Sequence, residues 1–153
     1  MKNEGIKAVG EYTFTIRDER TGRVKRTYRY RNIVPTVMRT MIANNFASGT
    51  PTNSMLIGHV ALGSSGTTPT NADTQLGTEV YRNAVASLTN SSNVVYATGF
   101  YTAGETSGTY AEAGIFSNST GTANSGVLVS HVLITVTKST SETLTLDWTL
   151  TFL

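Results

Sequence analysis

From Glu142 to Leu153 the chain reads "ETLTLDWTLTFL", and its apolar and polar positions alternate without a break. Leu144, Leu146, Trp148, Leu150 and Phe152 share one parity; Thr143, Thr145, Asp147, Thr149 and Thr151 share the other. A period of two marks a strand with one buried face and one wet face. The preceding segment, "GVLVSHVLITVT", is different. Val127, Leu128, Val129, Val132, Leu133, Ile134 and Val136 occupy both parities, which predicts a strand covered on both sides. A short turn, "KSTSE", returns the chain into 142–153. The last strand is expected to be interior, with Trp148 in the core.

The same reading runs back along the chain. Residues 11–32, "EYTFTIRDERTGRVKRTYRYRN", predict a hairpin around Arg20-Thr21-Gly22, with Gly22 left-handed at a bulged turn. That register sets Tyr12, Phe14 and Ile16 opposite Tyr30, Tyr28 and Arg26. Tyr12, Phe14 and Ile16 thus share one face, the pattern of a half-buried sheet, with the other left to Glu11, Arg17, Arg23, Lys25, Arg29 and Arg31. Residues 33–48, "IVPTVMRTMIANNFAS", carry the one helical pattern, predicted over 34–48. Val37, Met38, Met41, Ile42 and Phe46 form its stripe, Pro35 suits its start and Gly49 its end. From Ser54 the pattern is β throughout: "SMLIGHVAL", "TEVYRNAVASL", "NVVYATGFYT", "TYAEAGIFS" and the two closing strands, separated by Gly, Ser, Asn and Thr turns. With the hairpin this makes about eight strands. The expected architecture is mainly β: a single domain over 1–153, an antiparallel sandwich or jelly roll with an N-terminal hairpin and one short helix.

Composition sharpens this picture. The chain of 153 residues is 39% apolar but only 14% charged, the remainder dominated by neutral polar residues that suit exposed strands and subunit contacts. It has no cysteine, which removes disulfides and thiolate metal sites. No run reaches the ~20 apolar residues of a membrane span, and "MKNEGIKAVGEYTF" has no apolar signal region, so neither a signal peptide nor membrane attachment is expected. The net charge of +2 hides a split. Up to residue 39 there are ten bases against four acids, or +6; beyond it there are two bases against six acids, or −4. The two halves can neutralise each other within one molecule or head to tail between copies.

The candidate chemistry is sparse. His59 and His131 each fall mid-strand with no second histidine or carboxylate at ligand spacing, so satisfied or exposed strand histidines are the favoured reading. "GSSG" at 63–66 is followed by neither Lys-Ser/Thr nor a helix, and reads as a turn rather than a phosphate cradle. Ser64 and Ser65 lack the spacing of a nucleophile elbow. Glu79, Glu105, Glu112 and Asp147 fall on different elements. No catalytic, cofactor-binding or metal residue is expected. The unusual feature is the basic hairpin face, with Arg17, Arg23, Lys25, Arg29 and Arg31 as candidates for docking a partner. Arg17 is expected directly opposite Lys25, a destabilising pairing only partly relieved by Glu11 near Arg31 and Glu19 near Arg23. The alternative is a solvated edge using charge to block strand addition. Tyr28 and Tyr30 belong to the other face, so no base-stacking platform forms and nucleic acid is not expected as a partner.

Three stretches together resemble small virion structural proteins of tailed bacteriophages. They are "EYTFTIRDERTGRVKRTYRYRNIVPTVMRTMIANNF", "VALGSSGTTPTNADTQLGTEVYR", and "AEAGIFS" with "GVLVSHVLITVTKSTSETLTLDWTLTF", the last similar to a closing hairpin with a W-T-L-T-F ending. The resemblance implies a non-enzymatic subunit of the virion. The expected form is a capsid decoration (cement) protein, with a tail fibre, baseplate or receptor-binding appendage as alternative. The implied partners are the major capsid protein or tail subunits and further copies of the chain, with a trimer as working assumption. It carries no catalytic residue to transfer. A carbohydrate-binding module is a third reading, resting on Tyr81, Tyr96 and Tyr101 as a stacking platform.

Overall fold

A computed structural model describes residues 6–48 and 53–153. Gly49, expected at the helix end, lies outside the described residues. Nine strands and one helix follow in order: β1 (Ala8–Asp18), β2 (Val24–Asn32), α1 (Thr36–Ala47), β3 (Ile57–Gly63), β4 (Glu79–Ala84), β5 (Ser87–Ser91), β6 (Val94–Tyr101), β7 (Gly108–Ser117), β8 (Val127–Lys138) and β9 (Glu142–Phe152). They form a β-sandwich of a five-stranded sheet, β2-β1-β9-β6-β5, and a four-stranded sheet, β4-β3-β7-β8, antiparallel throughout.

The alternating strand β9 lies in the middle of the five-stranded sheet, between β1 and β6. Its even parity supplies Leu144, Leu146, Trp148 and Leu150 to the core, all at 2% exposure or less, while Phe152 is half-buried at the strand's end. Tyr12, Phe14 and Ile16 of β1 pair with Trp148, Leu146 and Leu144 and are fully buried. The four-stranded sheet closes over them with Val60, Leu62, Ala113, Ile115, Val132, Ile134 and Val136. Buried hydroxyls are satisfied: Tyr12 donates to Ser130 Oγ at 3.0 Å and Tyr101 to the Val60 carbonyl at 3.1 Å.

The hairpin follows the expected register, with Tyr12, Phe14 and Ile16 opposite Tyr30, Tyr28 and Arg26, and Gly22 left-handed at φ +69°. Beyond Ile16 the register shifts. Arg17 faces Val24 rather than Lys25, and Lys25 is the extra residue of the bulge. The expected clash of like charges is thereby avoided.

Other expectations are corrected. The segment 78–88 makes two strands in different sheets, because the chain crosses between layers at Val85 and Ala86, whose N–H groups reach the Gly58 and Thr98 carbonyls. The closing segment is not a hairpin: β8 and β9 belong to opposite sheets, so "KSTSE" arches across the core. On α1, Met38 and Met41 are buried, but Phe46 is 88% exposed, since the stripe turns away from the sandwich after Ile42. Leu133 of β8 is likewise 39% exposed.

The outer edge of β8 is sealed. Ile33 exchanges backbone hydrogen bonds with His131, the Tyr30 hydroxyl donates to the Thr135 carbonyl and accepts from its N–H, and Arg26 donates to the Thr137 carbonyl. One side of the sandwich is therefore closed by side chains of the opposite sheet.

Replacing Trp148 with alanine is expected to cost about 3–5 kcal/mol, as for other buried aromatics. Phe46→Ser should change stability by less than about 0.5 kcal/mol, as for surface positions. Urea denaturation followed by circular dichroism checks both; equal losses would remove Trp148 from its central place.

Candidate functional site

The basic hairpin residues do not act as one group. Arg29 and Arg31 project from β2 onto the outer face of the five-stranded sheet and are exposed. Arg17 donates to the Gly22 carbonyl across the turn, and exposed Arg23 follows that turn. Lys25, turned by the bulge, reaches Glu142 at 2.7 Å, and Arg26 approaches the other oxygen of the same carboxylate at 2.8 Å. The charge crowding expected on the hairpin is relieved from β9. Burial alone would raise the Glu142 pKa, but the Lys25 ammonium, the Ser139 N–H and the Arg26 guanidinium together hold it down to about 2.

The other acids beyond residue 39 are also held within the molecule. Glu79 makes a bidentate pair with Arg82 of the same strand and accepts the Asn124 N–H. Arg82 in turn lies 4.6 Å over the Phe116 ring and donates to the Thr120 and Ser125 carbonyls, fastening the 118–126 loop. Glu105 accepts from Asn83 and the Thr102 N–H. Lys138, 1% exposed, donates to the Ala103, Thr106 and Ser139 carbonyls, and burial lowers its pKa. Asp147, the one exposed acid beyond residue 39, accepts from Thr98.

The densest polar cluster surrounds His131, which is 4% exposed. Its Nδ1 lies 2.8 Å from Asp73 and its Nε2 2.8 Å from Glu112. Glu112, fully buried, also accepts from the N–H groups of Ser65 (3.3 Å), Gly77 (2.9 Å) and Thr78 (2.7 Å). Asp73 accepts from the Thr70 N–H and hydroxyl; burial would raise its pKa, but these bonds and His131 lower it. Gly63 permits the close approach, since a Cβ there would lie 2.5 Å from Glu112 Oε1. The effect is to clamp the loop between β3 and β4 onto β7 and β8. Leu76 then seals a second small cluster with Ala61, Phe116 and Leu128.

The polar atoms of this cluster are largely taken up by one another and by the loop backbone. A carboxylate offers about four lone-pair sites, and three backbone N–H donors and the His131 ring already surround those of Glu112. Both ring nitrogens of His131 are engaged by carboxylates, so neither faces a hydroxyl as a general base would. The ring separates the two acids, and among the described residues no three His, Asp or Glu side chains are arranged so that they could hold a metal ion. The adjoining cavity, about 310 Å³, is walled mainly by residues of the clamped loop, with Asp73, Glu112 and His131 in its lining. His59 pairs with Ser119 Oγ at 2.9 Å, with no carboxylate bonded to its other nitrogen. An apolar groove of about 450 Å³ runs beside α1 between Met38, Met41, Leu56, Val129 and Phe152.

Comparison with known proteins returns no matching family model, no matching curated protein and no matching solved structure.

The proposed aromatic platform for sugars is not assembled. Tyr101 is fully buried and Tyr81 packs edge-on against it at 6.1 Å; Tyr96 alone is exposed. The His131 clamp was missed because its members are scattered through the sequence. Two local signals pointed to it: Glu112 is a charge inside the apolar run "YAEAGIF", and Thr70 and Asp73 have the spacing of a side-chain-capped turn.

Glu112→Ala should cost about 3 kcal/mol or more, because it leaves buried donors unpaired. Hydrogen exchange should accelerate at the Ser65, Gly77 and Thr78 amides while the β1–β9 ladder stays protected. Glu142 gives a pH signature. Its native pKa lies below the ordinary 4.5, so the unfolded chain binds the proton more readily. The stabilisation is complete above about pH 4.5 and is lost as pH falls toward 2. It amounts to about 2 kcal/mol, reduced by the partly exposed cations. Denaturation of Glu142→Gln across this window should show a flatter pH dependence than the parent.

Proposed function

We propose that the chain is a non-enzymatic structural subunit of a tailed-phage virion, and more specifically a capsid decoration (cement) protein that docks on the assembled shell. One observation carries the reading: the buried polar groups serve to hold loops and edges, while among the described residues no loop or helix packs over the outer face of the five-stranded sheet. A domain built this way offers a rigid surface rather than a reaction centre. Its threonine-rich strands and low charge suit close packing among subunits, and the resemblance of its hairpin-helix and closing segments to phage virion proteins points the same way. In this reading the protein is made in the host cytoplasm and resides on the particle, as a homo-oligomer contacting the major capsid protein. A tail appendage is the alternative location.

The test uses particles of the phage that encodes the chain, prepared with its gene deleted. Purified protein should bind the heads at a fixed stoichiometry and raise the temperature at which DNA is released. Binding confined to tails would establish the appendage reading. Absence of binding anywhere on the particle would overturn a virion role.

A further inference from the structure

We infer that His131 is a proton-operated latch: with both ring nitrogens protonated it holds the tip of the β3–β4 loop shut, and loss of one proton releases that tip. The inference goes beyond the virion reading and does not depend on it.

The loop is fastened at two places of different kind. Near its ends it is hinged on Glu112, which accepts the backbone N–H groups of Ser65, Gly77 and Thr78, donors that do not titrate. Its tip is a turn in which the Asp73 carboxylate accepts the Thr70 N–H at 2.9 Å and the Thr70 hydroxyl at 2.7 Å. This turn meets the body through Asp73 Oδ2, 2.8 Å from His131 Nδ1. It also reaches α1, where the Asn71 carbonyl accepts the Thr36 N–H at 2.8 Å.

Counting protons fixes the state of the ring. A neutral imidazole donates from one nitrogen and accepts at the other. Here each nitrogen faces a carboxylate oxygen, and each of those oxygens already accepts a backbone N–H: Asp73 Oδ2 from Thr70, Glu112 Oε2 from Gly77. Two acceptors on opposite edges require two donors, and a free imidazole is a stronger base than a carboxylate by roughly two pKa units. The closed loop therefore holds an imidazolium. When one proton leaves, the other stays toward Glu112, which is fixed on β7 opposite Leu133 of β8. Nδ1 then presents a lone pair to Asp73, and repulsion replaces a charge-assisted hydrogen bond. The turn at 70–73 is the part free to move away.

The titratable groups on the other elements packed against β8 are engaged elsewhere. Tyr12 of β1 bonds Ser130, Tyr30 of β2 bonds Thr135, Lys25 and Arg26 of β2 meet Glu142 of β9, and Arg39 of α1 bonds Thr36. Burial opposes charge on Asp73, but Thr70 and the ring outweigh it and hold its carboxyl below the ordinary range, so its contribution is lost only as pH falls through that lowered value. The open loop binds one proton fewer than the closed one. Closure is therefore lost as pH rises through the titration of the ring, the open fraction growing up to tenfold per pH unit. Release uncovers a ring that is 4% exposed when closed, and it frees the start of α1, whose Val37 packs on Ala61, Phe116 and Leu128.

The test is amide hydrogen exchange on the purified chain between about pH 5 and pH 9, either side of the ordinary histidine value. Opening constants for the Thr36 and Thr70 amides, after division by the intrinsic exchange rate, should rise toward tenfold per pH unit while the β1–β9 ladder stays level. Asp73→Asn replaces the second acceptor with a donor, which suits Nδ1 of a neutral ring. Opening in this variant should not change with pH, although the weakened Thr70 turn raises it throughout. A parent-like slope in Asp73→Asn, or no slope in the parent, would overturn the proposal. Nitrogen-15 NMR of the parent's ring decides independently of whether the variant keeps its loop. Both ring nitrogens should be protonated until the loop amides begin to open; one bare nitrogen in the closed loop would show an ordinary satisfied histidine and sink the latch.

Discussion

The sandwich depends on the contact between the inward face of β9 and the facing strands of the second sheet. Leu144, Leu146, Trp148 and Leu150 cannot reach water without breaking the ladder to β1 on one side and to β6 on the other. Their burial fixes the register of both neighbours, since a slip of one residue would exchange the leucines for threonines. Tyr12, Phe14 and Ile16 are positioned by this ladder, and the hairpin partner β2 follows from them. The arginines of the outer face thus owe their spacing to apolar residues on the inner one.

A second level of organisation is polar. Three interactions, Glu112 with His131, Glu79 with Arg82, and Lys138 with three carbonyls, each fasten an irregular segment onto a strand. Burying such groups is costly unless every lone pair and proton is matched. No buried side-chain nitrogen or oxygen among the described residues lacks a partner. These networks let long loops lie flat against the four-stranded sheet, so Glu112–Ser117 of β7 and Val127–Val132 of β8 are buried on both faces. The five-stranded sheet keeps its strict alternation because, among the described residues, no loop or helix packs over its threonines.

What was legible in the sequence follows from this division. The alternation of β9, the two-sided run of β8 and the hairpin register around Gly22 are local patterns, and they placed Trp148, Tyr12 and Phe14 correctly. The layer to which each strand belongs is not local: nothing in "KSTSE" distinguishes a hairpin turn from an arch, and Val85 and Ala86 give no sign of a crossing. Phe46 fits the helical stripe by spacing but lies past the point where α1 leaves the sandwich. The docking candidates were half legible. Arg29 and Arg31 lie outward as strand parity requires, whereas the bulge diverts Lys25 to a carboxylate that no pairing rule could have located.

The position of β9 also bears on how the chain reaches its native state. Tyr12 meets Trp148 across 136 residues (12 to 148), a separation that brings a large loop-closure entropy before any reward from burial. Topologies dominated by such distant pairings fold on the slow side, in milliseconds to seconds. Until β9 arrives, β1 and β6 each expose an open edge along strands rich in aromatic and β-branched residues, the conditions under which chains associate wrongly. The native state is correspondingly hard to leave from this strand. Stripping β9 out of the sheet breaks two ladders and empties the centre of the core, which makes slow unfolding, rather than equilibrium stability alone, the property through which a durable scaffold of this shape persists.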